Sequence, residues 1–187
     1  MGAPASFAGP CPACCPSCPG IPSPTHVFDP SPLRQTLGEL VDFGRLPDGP
    51  VRLLVTAVDG NGDDVTFDSH KGGIEVDHLL ASAAFPIAFP PVSIDGRVYV
   101  DPGVSANLPI APLFKHEDAD NVLCLALDLV TAHGRVPKSL DDAVGRAQDL
   151  IFASQSRHAL QRVIRSRNLS LPGKLAVLHL SYDGRNQ

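Results

Sequence analysis

The segment from Val76 to Pro112 constrains the fold more than any other part of the chain. An apolar helix over Glu75–Ala84 must end before Pro86, because proline inside a helix removes a hydrogen bond and clashes with the preceding turn. Two short runs of strand character then flank Asp95-Gly96, a dipeptide typical of tight hairpin turns. The second run leads directly into Asp101. The pattern therefore predicts a helix and a hairpin that present an aspartate at the end of a strand.

Helices and strands alternate along the rest of the chain. The apolar run Asn121–Val130 is typical of a strand that is buried on both faces. Ser31 is a suitable N-cap for the first helix. Strands are also expected at Val51–Asp59, Asp64–Asp68 and Leu175–Tyr182, with helices from Ser31 and over Ser139–Arg165. This order predicts one α/β domain over residues 26–187, with a largely parallel sheet and a β-hairpin insertion.

Residues 1–25 have a different composition, without any charged side chain. Four of the five cysteines lie here, with Pro12, Pro16 and Pro19 beside them. Two adjoining CxxC pairs could supply four thiolates to zinc, but zinc sites usually place a wrapping loop between their pairs. An unstructured tail is the favoured interpretation. The weak metal candidates are Cys11, Cys14, Cys15 and Cys18.

The charge balance and hydropathy limit the partners. A net charge of −5 and a pI near 5.7 argue against nucleic acid and against an anionic membrane as the main partner. The longest uncharged stretch after the N-terminal region, Leu79–Ile94, is too short to span a bilayer and contains three prolines. No signal peptide is expected, because no lysine or arginine precedes Arg34. A cytoplasmic location follows as an expectation.

The segment described first resembles the catalytic-aspartate part of the patatin-like phospholipases. The matching features are Ala-Ser-Ala-Ala at the helix end, a Phe-Pro-Pro-Val step and the strand RVYVD, followed by Pro102, Gly103, Asn107 and Pro109. The resemblance extends from about Val27 to Phe114, and more loosely to the C-terminus. It implies an incomplete three-layer α/β/α domain of a lipid acyl hydrolase that works with a serine–aspartate dyad and without a cofactor.

The resemblance also assigns roles to residues. Asp101 would be the catalytic base, and Pro102, Gly103 and Asn107 would support its loop. Proline stands at position 102 where the family has glycine, and it restricts both its own backbone and that of Asp101. If the family glycine uses positive φ, the carboxylate would shift. An aspartate at a strand end is also common turn chemistry, so a purely structural role stays open.

The 187 residues contain no Gly-Xaa-Ser-Xaa-Gly nucleophile elbow. The family's elbow and oxyanion loop should precede Val27, where the chain offers only its Cys/Pro-rich part. Ser82 falls in a helix, and Ser105 lacks the second glycine of an elbow, so neither is expected to replace the nucleophile. We therefore expect a truncated domain that is inactive alone.

Three interpretations stay open: a hydrolase completed by another segment or chain, with a lipid or acyl-ester substrate; a non-catalytic remnant or interaction module; and a Cys-rich metal-binding protein. Without the missing half, the strand Val51–Val58 would present an unpaired edge. Poor solubility or self-association through that edge is the expected consequence.

Overall fold

The computed structural model describes residues 26–114, 121–130, 132–170 and 174–181. The chain divides into two compact units, Met1–Val104 and Ser105–Gln187. The predicted tail at residues 1–25 lies outside the described residues, and so do its four cysteines.

The N-terminal unit is built on an antiparallel sheet of four strands, in the order β2-β1-β4-β3. Two of its connections are tight hairpin turns. Asp95 and Gly96, with φ of 50° and 75°, form the two-residue turn between β3 and β4, and such left-handed pairs match the twist of a hairpin. The strands are β1 (Leu54–Asp59), β2 (Asp64–Asp68), β3 (Val92–Ile94) and β4 (Arg97–Val100).

Two helices complete this unit, α1 (Ser31–Leu40) and α2 (Val76–Ser82). Helix α1 begins at Ser31 itself, so the prediction of Ser31 as N-cap is wrong by one residue. Pro30 is the N-cap and is already in helical geometry, and the Asp29 carboxylate accepts the Ser31 N–H at 2.9 Å. The sequence favours Ser31 because its hydroxyl suits a cap, whereas the fixed φ of Pro30 allows the helix to start earlier.

Helix α2 packs against the sheet. Its first turn is held by a capping box, in which the Glu75 N–H donates to Nδ1 of His78 at 2.8 Å. The Phe67 ring lies 4.3 Å from the His78 ring and 5.4 Å from the Tyr99 ring, measured between centroids. The core of this contact consists of Ala57, Ala81 and Tyr99, with Val65, Phe67, Val92 and Ile94 packed around them.

The C-terminal unit contains β5 (Asn121–Asp128), α3 (Leu140–Ser170) and β6 (Lys174–Ser181). Strands β5 and β6 pair in parallel, with Asn121 opposite Lys174 and Asp128 opposite Ser181. Helix α3 starts with the predicted capping box: Ser139 Oγ accepts the Asp142 N–H, and Asp142 Oδ2 accepts the Ser139 N–H, both at 3.1 Å. The core of this unit consists of Ile110, Ala126, Ala159, Leu160 and Val163.

The predicted α/β class is confirmed, and so is a parallel pair of strands. The share of parallel pairing is smaller than expected, because the four-stranded sheet is wholly antiparallel. A parallel connection needs a crossover of a dozen or more residues, which α3 supplies between β5 and β6. The short hairpin turns of the N-terminal unit permit only antiparallel pairing of the strands that they join, β1 with β2 and β3 with β4.

The prediction that β5 is buried on both faces is wrong. Cys124, Ala126 and Asp128 are buried, whereas Leu125 and Leu127 on the other face are 61% and 68% exposed. The core that includes α3 residues packs against Ala126, and no described residue covers the leucines. An apolar run shows that a strand is suited to burial, but only tertiary packing decides which face is covered.

The predicted unpaired edge is present for part of β1. This strand pairs with β2 from Leu54 to Val58, but with β4 only at Val58 and Asp59. Residues Leu54–Ala57 are therefore paired on one side only within the described chain. No helix among the described residues is long and apolar enough to cross a membrane.

Candidate active site at Asp101

Asp101 lies directly after β4, at the point where this strand meets the end of α2. Its N–H donates to the carbonyl oxygen of Ala84 at 3.0 Å. Val100, the preceding residue, pairs with Val58 of β1. The backbone of Asp101 is thus held by the central strands on one side and by the α2 C-terminus on the other.

The Asp101 carboxyl group is half-buried and has no cationic partner among the described residues. Its one hydrogen bond within them comes from the Gly103 N–H, which donates to Oδ1 at 2.6 Å. Burial raises the pKa of this carboxyl group above its ordinary value of 3.8, and the bond from Gly103 opposes the rise. A desolvated carboxylate with a raised pKa and an unengaged oxygen is typical of a general base.

The loop after Asp101 accommodates the proline that distinguishes this chain. Pro102–Val104 form a short 3-10 helix in which Pro102 and Gly103 are buried. The φ range of a 3-10 helix includes the value to which proline is restricted. Gly103 does not share the positive φ of Gly62, Gly73 and Gly96.

Asn107 belongs to the C-terminal unit, where it is tied to α3. Its N–H donates to Oε1 of Gln155 at 2.9 Å, and its Nδ2 donates to Oγ of Ser156 at 3.2 Å. Ser156 is completely buried. The proposed loop-support residues therefore fall into two groups: Pro102 and Gly103 contact the Asp101 turn, whereas Asn107 anchors the start of the C-terminal unit to α3.

Neither alternative serine has the geometry of a nucleophile. Ser82 is half-buried in the last turn of α2, and no hydrogen bond between described residues joins its hydroxyl to Asp101. Ser105 is exposed at the start of the C-terminal unit. Neither lies on a turn from a strand into a helix, the geometry that presents an elbow serine.

The described residues contain no group of three or more histidine, cysteine, aspartate or glutamate side chains able to hold a metal ion. The weak candidates Cys11, Cys14, Cys15 and Cys18 lie outside those residues. Cys124 is buried in β5, where desolvation raises the pKa of its thiol, so the reactive thiolate is disfavoured.

The sequence did not single out a polar pair at the C-terminal end of the parallel strands. Nε2 of His179 lies 3.5 Å from Oδ2 of Asp128, and Asp128 Oδ1 accepts the Val130 N–H at 3.1 Å. Asp128 is buried, and the His179 side chain is partly exposed. An aspartate that ends an apolar strand was the available signal, since polar groups often collect at the carboxyl ends of parallel strands.

Fold and site together define an α/β protein with a desolvated carboxylate at a strand end. A sequence profile of the patatin-like phospholipases matches residues 17–114, just over half of the chain. The chain belongs to the patatin-like phospholipase family, which is a family of lipid hydrolases. The matched segment includes Asp101, Pro102, Gly103 and Asn107 and ends at Phe114. A comparison with curated proteins gives no match.

Proposed function

We infer that this chain supplies the catalytic-base part of a lipid acyl hydrolase, with Asp101 as the base. The observation that carries the proposal is the state of the Asp101 carboxyl group. It lies in the family-matched segment, is half-buried, and has one hydrogen-bond donor and no cationic partner among the described residues. A carboxylate that served only to stabilise the fold would be expected to have an ion pair or several donors instead.

The two carboxylate oxygens of Asp101 suit different tasks. Oδ1 accepts the Gly103 N–H, which fixes the orientation of the group. Oδ2 is then left to accept the proton of a serine hydroxyl as the serine oxygen forms a bond to the acyl carbon. Asp101 next donates the proton to the departing alcohol. Water then attacks the acyl-serine in the same way, with Asp101 accepting its proton, and the fatty acid is released. Burial favours the first of these transfers, because it raises the proton affinity of the carboxylate.

The nucleophile and the oxyanion donors come from outside these 187 residues in this proposal, either in a longer chain or in a second polypeptide. Support comes from the absence of a Gly-Xaa-Ser-Xaa-Gly sequence and from the helical setting of Ser82. A base without a nucleophile and an oxyanion site does not hydrolyse esters at an enzymatic rate. The chain alone is therefore expected to be inactive.

The test has two arms. The chain alone is incubated with a fluorophosphonate probe and with a chromogenic acyl ester, and neither labelling nor turnover above the buffer rate is expected. The chain is then combined with a polypeptide that carries the elbow and oxyanion loop of a patatin-like phospholipase. Hydrolysis gained in this way should fall about 10²- to 10⁴-fold with Asp101→Asn, the usual contribution of a general base.

Asp95→Asn is the matched control. This substitution removes the same charge as Asp101→Asn. Asp95 lies in the exposed turn between β3 and β4, where its φ of 50° also suits asparagine. Equal losses for the two variants would contradict a catalytic role for Asp101. Labelling of the chain alone that disappears with Ser82→Ala or Ser105→Ala would contradict the external nucleophile.

A non-catalytic interaction module is the second candidate, favoured by the exposed leucines of the parallel strands. Leu125 lies beside Leu178, and Leu127 beside Leu180, in the register of β5 and β6, and all four are at least 47% exposed. Exposed apolar patches often mark interaction surfaces. Self-association of the chain, with no acyl-ester turnover after complementation, is the result that would favour this candidate. The cytoplasmic location and the absence of a nucleic-acid partner stay predictions.

A further inference from the structure

A cavity of about 380 Å³ lies between α3 and the first residues of the C-terminal unit. The polar groups of its lining are hydroxyl, amide, imidazole and guanidinium groups, without a carboxylate. The helix residues in it all lie beyond the segment that matches the patatin-like family. The lining residues are Ser105, Ala106, Gln155, His158, Gln161, Arg162 and Arg165.

Helical periodicity brings three basic side chains together on one face of α3. His158, Arg162 and Arg165 are separated by four and three residues, the spacing that places side chains above one another on a helix. The facing wall is held in place by Gln155, whose Oε1 accepts the Asn107 N–H at 2.9 Å. That bond uses the oxygen of the Gln155 amide and leaves its NH₂ group to donate.

The two arginines of this cavity are not neutralised within the described chain. His158, Arg162 and Arg165 have no ion pair with any described residue, and α3 contains no aspartate or glutamate from Ile151 to Ser170. Another cavity of this unit differs, since its lining combines the cations Arg135, Lys138 and Arg146 with the carboxylates of Asp141, Asp142 and Asp149. In a chain with a net charge of −5, the lining of the α3 cavity is therefore locally basic.

We propose that this cavity binds the phosphate group of an organic phosphate monoester. Such a group carries close to two negative charges and three terminal oxygens. A guanidinium forms paired hydrogen bonds with phosphate oxygens, so Arg162 and Arg165 supply charge and orientation together. His158, the amides and the Ser105 hydroxyl supply further donors. The site lies in the C-terminal unit, and it does not depend on the function proposed for Asp101.

The monoester could be a free metabolite or a lipid headgroup, so the experiment has two ligands. Binding of glycerol 3-phosphate to the full chain is measured by calorimetry. Co-sedimentation is measured with phosphatidylcholine vesicles that contain phosphatidic acid, and with vesicles of equal surface charge that contain oleate instead. Arg162→Gln and Arg165→Gln are each expected to weaken binding at least about tenfold, because each removes charged hydrogen bonds to phosphate.

Arg157→Gln is the matched control, since Arg157 is an exposed arginine of the same helix but does not line the cavity. Glutamine propagates helices about as well as arginine, so all three variants should fold alike. Binding of glycerol 3-phosphate identifies a site open to free esters, and binding of phosphatidic acid vesicles alone identifies a headgroup site. Either result supports the proposal if Arg157→Gln has little effect.

Three results would overturn the proposal. No binding of either phosphate ligand would remove the site. Equal binding of oleate vesicles would show attraction by charge without recognition of phosphate. Equal losses of phosphate binding for all three arginine variants would show a diffuse basic surface and no cavity-specific site.

Discussion

Replacing Asp101 by asparagine removes a half-buried charge but keeps the oxygen that accepts the Gly103 N–H. Because burial raises the pKa of the carboxyl group above 3.8, the folded chain binds this proton more tightly than the unfolded chain does. The free energy of unfolding therefore falls as the pH rises from about 4 through the folded-state pKa, and the full cost of the charge is present at neutral pH. Asp101→Asn should remove that cost.

Each pH unit of pKa shift corresponds to about 1.4 kcal/mol. Asp101 is partly exposed, so solvent screening reduces what the shift contributes. We expect Asp101→Asn to raise the free energy of unfolding at pH 7, and each gain of about 1 kcal/mol would raise the Tm by roughly 2–4 °C for a chain of this size. The gain should fade as the pH falls through about 4, because the aspartate then becomes protonated in both states.

Thermal melts followed by circular dichroism at pH 7 and at pH 3.5 check this expectation. Asp95→Asn is the control, and its Tm should equal that of the wild type. Loss of stability with Asp101→Asn at pH 7 would refute the reasoning. It would mean that the charged hydrogen bond from Gly103 outweighs desolvation, as in a turn aspartate with a structural role. Stabilisation together with lost hydrolysis after complementation is the pattern expected of an active-site carboxylate.

Three further outcomes follow from other contacts. Asp68→Asn breaks the ion pair with Arg52 that holds the pKa of Asp68 at about 2. The free energy of unfolding, measured in urea, should fall by up to about 2 kcal/mol at pH 7, and this loss should fade as the pH falls from about 4 to about 2. Ser139→Ala removes the oxygen that accepts the Asp142 N–H and should cost about 1 kcal/mol, seen as faster amide exchange in the first turn of α3. Leu125→Lys should reduce self-association in sedimentation runs without lowering the Tm, since Leu125 is 61% exposed. A wild-type chain that sediments only as a monomer would contradict this.

The sequence alone determined the features that depend on neighbours along the chain. Asp95-Gly96 specified a hairpin because both residues tolerate positive φ, and Ser139 with Asp142 specified the start of α3. The order of helices and strands and the position of Asp101 after a strand followed in the same way. The matching motifs also identified the family, which the profile match confirms.

Tertiary structure alone decided what depends on residues distant in sequence. The pairing of β1 with β4, the exposed face of β5 and the desolvation of Asp101 each arise from contacts that no local pattern encodes. The α3 cavity is a further case. Its arginines are near neighbours on α3, but the opposite wall comes from the distant residues Ser105 and Ala106, next to the bond from Asn107 to Gln155. Local chemistry fixes turns and caps, whereas burial and electrostatics depend on which surfaces meet.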